Sequence, residues 1–266
     1  MKVYRELIIV SFMIGIVGLL FPLEQGFAKV ITKQIPYRHG DVQLEGYLAW
    51  DDAVKGKRPG VLVVHEWWGL NEYARTRAEQ LAALGYVAFA VDMYGKGKVT
   101  DHPKQAGAWM NEMTANVNEW QDRAMAGLTV LQTQEAVDTT RLAAIGYCFG
   151  GATVTQLAYR GAPVKGVVSF HGALPLPSAD QEIATNVKML IAHGNEDPFL
   201  KEEHIQRFRN ALDKAGVDWQ MVIYAGARHS FTNPAADKVG IDALKYDKKA
   251  DERSWKQMQI FFDEVF

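Results

Sequence analysis

The stretch RLAAIGYCFGG (residues 141–151) decides the fold. Residues 141–147 form a β-rich run, and a helical pattern begins near Phe149, so Cys148 falls at a strand-to-helix junction. Gly146 and Gly150 stand two residues before and two after the cysteine. A chain that turns sharply from strand to helix crowds its own backbone there, and glycine removes the Cβ clashes. The turn lifts the side chain above the sheet. The helix N-terminus behind it favours a thiolate and offers free N–H groups to a developing oxyanion. The competing reading is a buried, space-filling thiol, but such a residue does not ask for glycines on both sides.

Working outward, short apolar runs alternate with amphipathic ones. Residues 29–37 and 42–50 read as two strands around a turn at His39-Gly40-Asp41. The run VLVV (61–64) has the continuous β-rich character of a buried parallel strand. A helix over 73–84 stops at Gly85, and YVAFAV (86–91) is the next strand. A loop with Gly95 and Gly97 leads to helices near 103–115 and 117–135. Beyond the cysteine, 164–170, 188–194 and 219–226 read as strands, with a helix over 201–215 between the last two and another over 249–266. This alternation predicts an α/β fold, a mostly parallel central sheet with helices on both faces. No linker, repeat or low-complexity tract divides residues 29–266, which reads as one domain.

Composition narrows the function. The chain has 266 residues, 48% hydrophobic and 23% charged, with a formal charge of −2 and one cysteine. Near-neutral charge argues against nucleic acid or an anionic membrane as the main partner. One cysteine excludes an intrachain disulfide and a multi-thiolate zinc cluster. No metal set and no cofactor motif is expected.

Residues 1–28 read differently. Lys2 and Arg5 precede an uncharged apolar run over 7–21, and Gly26 and Ala28 supply small residues before a cleavage point. The run is short for a bilayer span, which needs about 20 residues. The expectation is a signal peptide cleaved near Ala28, giving an exported, periplasmic or secreted protein; the alternative is an N-terminal membrane anchor.

Several motifs fail on inspection. His65-Glu66-Trp67-Trp68-Gly69 begins like the zinc-protease H-E-x-x-H but lacks its second histidine and follows a strand. Gly95-Lys96-Gly97-Lys98 lacks P-loop spacing, and no G-x-G-x-x-G follows a strand. What holds is chain order. Enzymes with this turn place an acid and then a histidine at the ends of later strands. Asp197 follows strand 188–194, with Glu196 as the rival acid, and His229 follows strand 219–226. The histidine would activate the thiol, and the acid would fix its tautomer. Asp92 is less suited because it precedes the nucleophile. The other histidines, including His65, His171 and His193, read as structural; His65 and His193 are expected to orient loops by hydrogen bonds.

Together HEWWGLN (65–71), DMY (92–94), GYCFGG (146–151), NED (195–197) and HSF (229–231) resemble the dienelactone hydrolase family of the α/β-hydrolase fold. The resemblance implies a Cys148–His229–Asp197 triad and an acyl-thioester intermediate. It also implies that Glu66 interacts with the resting thiol and takes part in its activation. The oxyanion hole would be the backbone N–H groups of Trp67 and Phe149, donors of a kind whose loss costs about 3–4 kcal/mol. Tyr94, Lys96, Trp68 and Phe231 are candidate substrate-binding residues. Lys96 and Asn233 stand where the best-known members carry two arginines that hold the substrate carboxylate, so a carboxylated dienelactone is not the expected substrate. The leading function is a hydrolase of ester, lactone or thioester bonds in small molecules. The alternative is a non-catalytic small-molecule-binding protein on the same scaffold. A redox-sensing thiol would lack a resolving cysteine within the chain.

Overall fold

The computed structural model describes residues 29–178 and 181–266. The apolar run over 7–21 and the cleavage point expected near Ala28 lie outside the described residues. Eight strands form one sheet: β1 (Val30–His39), β2 (Val42–Asp51), β3 (Arg58–Val64), β4 (Val87–Val91), β5 (Val137–Tyr147), β6 (Gly166–Phe170), β7 (Lys188–Gly194) and β8 (Trp219–Tyr224). Their spatial order is β1-β2-β4-β3-β5-β6-β7-β8. β1 and β2 form an antiparallel hairpin, and β2 is antiparallel to β4. Every pairing from β4 to β8 is parallel. The mostly parallel sheet read from the sequence is therefore present.

Helices cover both faces because strand side chains alternate. Leu62, Val64, Phe89 and Val91 point to a core shared with α3 (Val117–Gln132), α4 (Phe149–Tyr159) and α5 (Glu202–Ala215), through Leu128, Val154, Leu157 and Phe208. Val61, Val63, Ala88 and Ala90 point the other way. They meet Ala74, Ala78 and Leu81 of α1 (Glu72–Ala83) and Met258 and Phe262 of α6 (Lys248–Val265). The remaining helix, α2 (Pro103–Thr114), starts with proline at its first position, where the missing N–H costs nothing.

Several boundaries differ from the sequence reading, among them those of the strands that lead to Cys148 and His229. β5 starts at Val137, ahead of the apolar run, because the register shifts at Pro59/Gly60 and pairs Arg58 with Val137. Asp138 stabilises that irregular stretch by accepting from Thr140 N at 3.0 Å and Arg141 Nε at 2.7 Å. β8 ends at Tyr224, before Gly226 turns the chain at φ 76°.

The parallel arrangement puts the carboxyl ends of β3, β5, β6, β7 and β8 on one edge. Glu66, Cys148, His171, Asp197 and His229 follow those ends, where open α/β sheets bind ligands. Among the described residues, no helix is long and apolar enough to cross a membrane.

Candidate active site

Cys148 occupies the turn between β5 and α4 with φ 53° and ψ −113°, a left-handed conformation that costs a non-glycine residue free energy. The flanking glycines are sterically required. A Cβ on Gly146 would lie 2.0 Å from the Gly150 carbonyl oxygen, and one on Gly150 would lie 2.2 Å from that of Val64. The second contact presses the start of α4 onto the end of β3. Phe149 opens α4, so its N–H belongs to the first turn, which lacks intrahelical partners.

The structure separates the rival acids. Glu196 is exposed, whereas Asp197 is buried and accepts a hydrogen bond on Oδ2 from His229 Nδ1 at 2.7 Å. Asp197 Oδ1 accepts from Phe199 N at 3.0 Å. Burial opposes charge on His229, but Cys148 and Asp197 outweigh it and lift the imidazole to about 10. Burial likewise opposes the Asp197 carboxylate, and its hydrogen bond to His229 reverses that and holds its pKa below the ordinary value. Asp197 and His229 thus form a bonded pair from two strand ends, and Cys148 after a third is close enough for its charge to act on the imidazole.

Glu66 is 1% exposed. Its Oε1 accepts from Ser230 Oγ at 2.7 Å and its Oε2 from Asn233 Nδ2 at 2.6 Å. Burial raises its pKa, while these two bonds and the charge of His229 pull it back. The interaction with the thiol that the resemblance implies is not among these contacts: both oxygens are engaged with the His229 loop.

The candidate binding residues divide. Tyr94 lies against the site: its ring is 5.5 Å from Phe149 and 5.8 Å from Trp109. Its hydroxyl is buried without a partner, and burial followed by the charge of Cys148 raises its pKa. Trp67 is half-buried, 4.7 Å from Trp68. Trp68 packs on Ala106, Ala236 and Leu244, and with Asn233 lines an open cavity of about 390 Å³. Lys96 does not join the site. It points to the β1–β2 hairpin and pairs with Glu45 at 2.9 Å, because Gly95 and Gly97 turn the loop with positive φ. Phe231 is also misplaced by the sequence reading. It is fully buried in the core shared with α1 and α6, 5.5 Å from Tyr224, because Ser230 at φ 57° turns it inward.

Among the structural histidines, His65 orients its loop as expected. Nδ1 donates to the Glu66 carbonyl at 2.5 Å, and Nε2 accepts from Met93 N at 3.3 Å. His193 does not: its buried Nδ1 has no partner. Sequence reasoning missed Phe199, 57% exposed and edge-to-face with His229 at 4.9 Å. It also passed over His171, 5.2 Å from the same ring. Among the described residues, no group of three His, Cys, Asp or Glu side chains could hold a metal.

A family model described as the dienelactone hydrolase family matches residues 44–266. The structure m3DLH is 41% identical, covers 89% of this chain and 99% of its own, and superposes with a TM-score of 0.83. A dienelactone hydrolase-like promiscuous phosphotriesterase from metagenomic libraries is 38% identical, with the same coverages and a TM-score of 0.86. A protein of Aquifex aeolicus provisionally named carboxymethylenebutenolidase is 29% identical over 86% of this chain and 97% of its own. The chain belongs to the dienelactone hydrolase family and is a hydrolase of ester or lactone bonds on the α/β-hydrolase fold.

Proposed function

We propose that hydrolysis runs through a Cys148–His229–Asp197 triad and an acyl-thioester. The observation that carries this reading is the convergence of three strand ends: His229 Nδ1 is bonded to Asp197 at 2.7 Å, and Cys148, in the turn after β5, is close enough for its charge to act on the imidazole. The Cys148 thiolate attacks the substrate carbonyl carbon. The oxyanion that forms is received by the N–H groups of Trp67 and Phe149. Collapse breaks the bond to the leaving oxygen, which takes the proton from the His229 imidazolium. The neutral imidazole then removes a proton from water as it attacks the thioester. Expulsion of the thiolate releases the acid and restores the ion pair. Asp197 holds the imidazole tautomer and balances its charge throughout.

Support for export comes from the basic start, the apolar run over 7–21 and the small residues ahead of Lys29. An intact mass beginning at Lys29 after expression in a secreting host is the expected result, and a retained leader counts against it.

The test of the triad is hydrolysis of 4-nitrophenyl butyrate by the unaltered protein and by Cys148→Ala. Loss of turnover in the variant supports the reading, and full retention refutes it.

A further inference from the structure

A buried hydrogen-bonded chain runs from α1 to the ring packed beside His229. Arg77 of α1 pairs with Asp251 of α6 at 2.5 Å and donates from Nη2 to the Thr232 carbonyl at 2.6 Å. Its Nε–H donates to Tyr73 Oη at 3.3 Å. Tyr73 Oη lies 2.5 Å from Thr232 Oγ1, which lies 2.7 Å from His171 Nε2. A guanidinium only donates, so the Tyr73 oxygen accepts from Arg77. The Thr232 hydroxyl bridges Tyr73 Oη and His171 Nε2, while His171 Nδ1 is buried without a partner. Burial, aided by the charge of His229, holds His171 well below the ordinary histidine value, in keeping with a neutral ring.

His171 is itself constrained, with φ 40° and no exposed surface. Its ring meets His229 edge-to-face, at 5.2 Å and 66°. Phe199 meets the same imidazole at 4.9 Å and 87°. Phe199 is exposed whereas His171 is fully buried, so of the two rings His171 is the more confined support for His229, beside the Asp197 bond to Nδ1.

We propose that Thr232 is a positioning residue for His229: its hydroxyl holds the ring plane of His171, against which the His229 imidazole is seated. This inference rests on the reading of Cys148 and His229 as the reacting pair. A purely space-filling role would be served equally by valine, which has the same shape. Only the relay from Tyr73 to His171 requires the hydroxyl. The groups that face His229 are Cys148 after β5, Asp197 after β7, Glu66 after β3, His171 after β6 and His193 of β7. Removing the hydroxyl leaves all of them in place but loosens the ring. The imidazole then sits less squarely against Cys148 and Asp197, the groups that raise its pKa despite burial.

The experiment compares Thr232→Val, Thr232→Ser and Tyr73→Phe on 4-nitrophenyl butyrate, with thermal unfolding to verify each fold. Thr232→Val is expected to slow acylation about three- to tenfold, the range carried by one net hydrogen bond, with KM unchanged. The alkaline limb of its pH–rate profile should move below that of the unaltered protein. Thr232→Ser, which keeps the hydroxyl, should restore both rate and limb. Tyr73→Phe removes the hydroxyl that anchors Thr232 and should act in the same direction, even if Thr232→Val fails to fold. An unaltered rate and limb in Thr232→Val, or equal impairment in the serine and valine variants, overturns the proposal while leaving the triad standing. Retained hydrolysis in Cys148→Ala removes the reading beneath it.

Discussion

Asn233 Nδ2 donates to Glu66 Oε2 at 2.6 Å, fastening the loop after β8 to the carboxylate that follows β3. The rest of Asn233 is equally committed. Its Oδ1 accepts from Ala235 N at 2.9 Å, and its own N–H donates to the Ser230 carbonyl at 2.9 Å. Asn233→Leu keeps the volume and removes the donor, leaving one oxygen of a buried carboxylate unsatisfied. The expected loss is roughly 1–3 kcal/mol, measured as a lower urea midpoint. An unchanged midpoint would show that water replaces the bond.

The same commitment bears on substrate charge. Asn233 is neutral and bonded to Glu66, and Lys96 is paired with Glu45 away from the cleft. A free carboxylate on the acyl chain finds no cation at either position, while the site carries two buried carboxylates, Glu66 and Asp197. The expected kcat/KM for 4-nitrophenyl butyrate exceeds that for 4-nitrophenyl hemisuccinate by about tenfold or more, given like-charge repulsion across a low-dielectric cleft. Asn233→Arg should narrow the ratio. Equal or reversed values in the unaltered protein would contradict this reading of the cleft.

Backbone crowding at the cysteine turn gives a steric prediction. The Cβ of Gly150→Ala would stand 2.2 Å from the Val64 carbonyl oxygen, and backbone cannot yield as a flexible side chain does. We expect a loss of about 1–3 kcal/mol from overpacking, together with reduced turnover as Phe149 N–H shifts. Gly107→Ala is the control, since its Cβ would meet only Trp67 Cζ3, at 3.8 Å. Equal thermal midpoints for the two variants would refute the steric account.

The His229–Asp197 pair makes stability depend on pH in a defined window. Despite its burial, Asp197 has its folded pKa lowered from 3.8 by the bond to His229, so its contribution is present above that value and lost as pH falls through the folded one. His229 is raised from 6.5 to about 10, against burial, by Cys148 and Asp197, so its contribution is full below 6.5 and lost as pH rises toward 10. The stability gap between the unaltered protein and Asp197→Asn should therefore be widest between these ordinary values. There it should reach about 3–5 kcal/mol, as for other buried pairs deprived of one partner. Urea titrations at several pH values check this, and a gap independent of pH would contradict it.

The sheet was legible because its strands are continuous apolar runs such as VLVV and YVAFAV, which only a sheet covered on both faces can bury. The cysteine turn was legible because glycine spacing has a steric cause that leaves a mark in sequence. Loop side chains have no such period. Phe231 reads as a cleft aromatic until Ser230 turns at φ 57°, and Lys96 reads as a binding cation until two glycines rotate it toward Glu45. Adjacent acids at 196 and 197 are indistinguishable until one is buried. Arg77 did leave a readable signal: it lies on the buried stripe Ala74, Arg77, Ala78, Leu81 of α1, where a charge must find a partner. His171 left none, since a left-handed histidine after a strand looks like any other.

The most direct test of the account is intact-protein mass spectrometry after rapid acid quenching with an activated ester in excess. The expected result is a transient mass increase equal to the acyl group, mapped by digestion to the peptide containing Cys148 and absent from Cys148→Ala. Turnover of the same ester by Cys148→Ala at the unaltered rate, or an acyl group mapped to another residue, would contradict it.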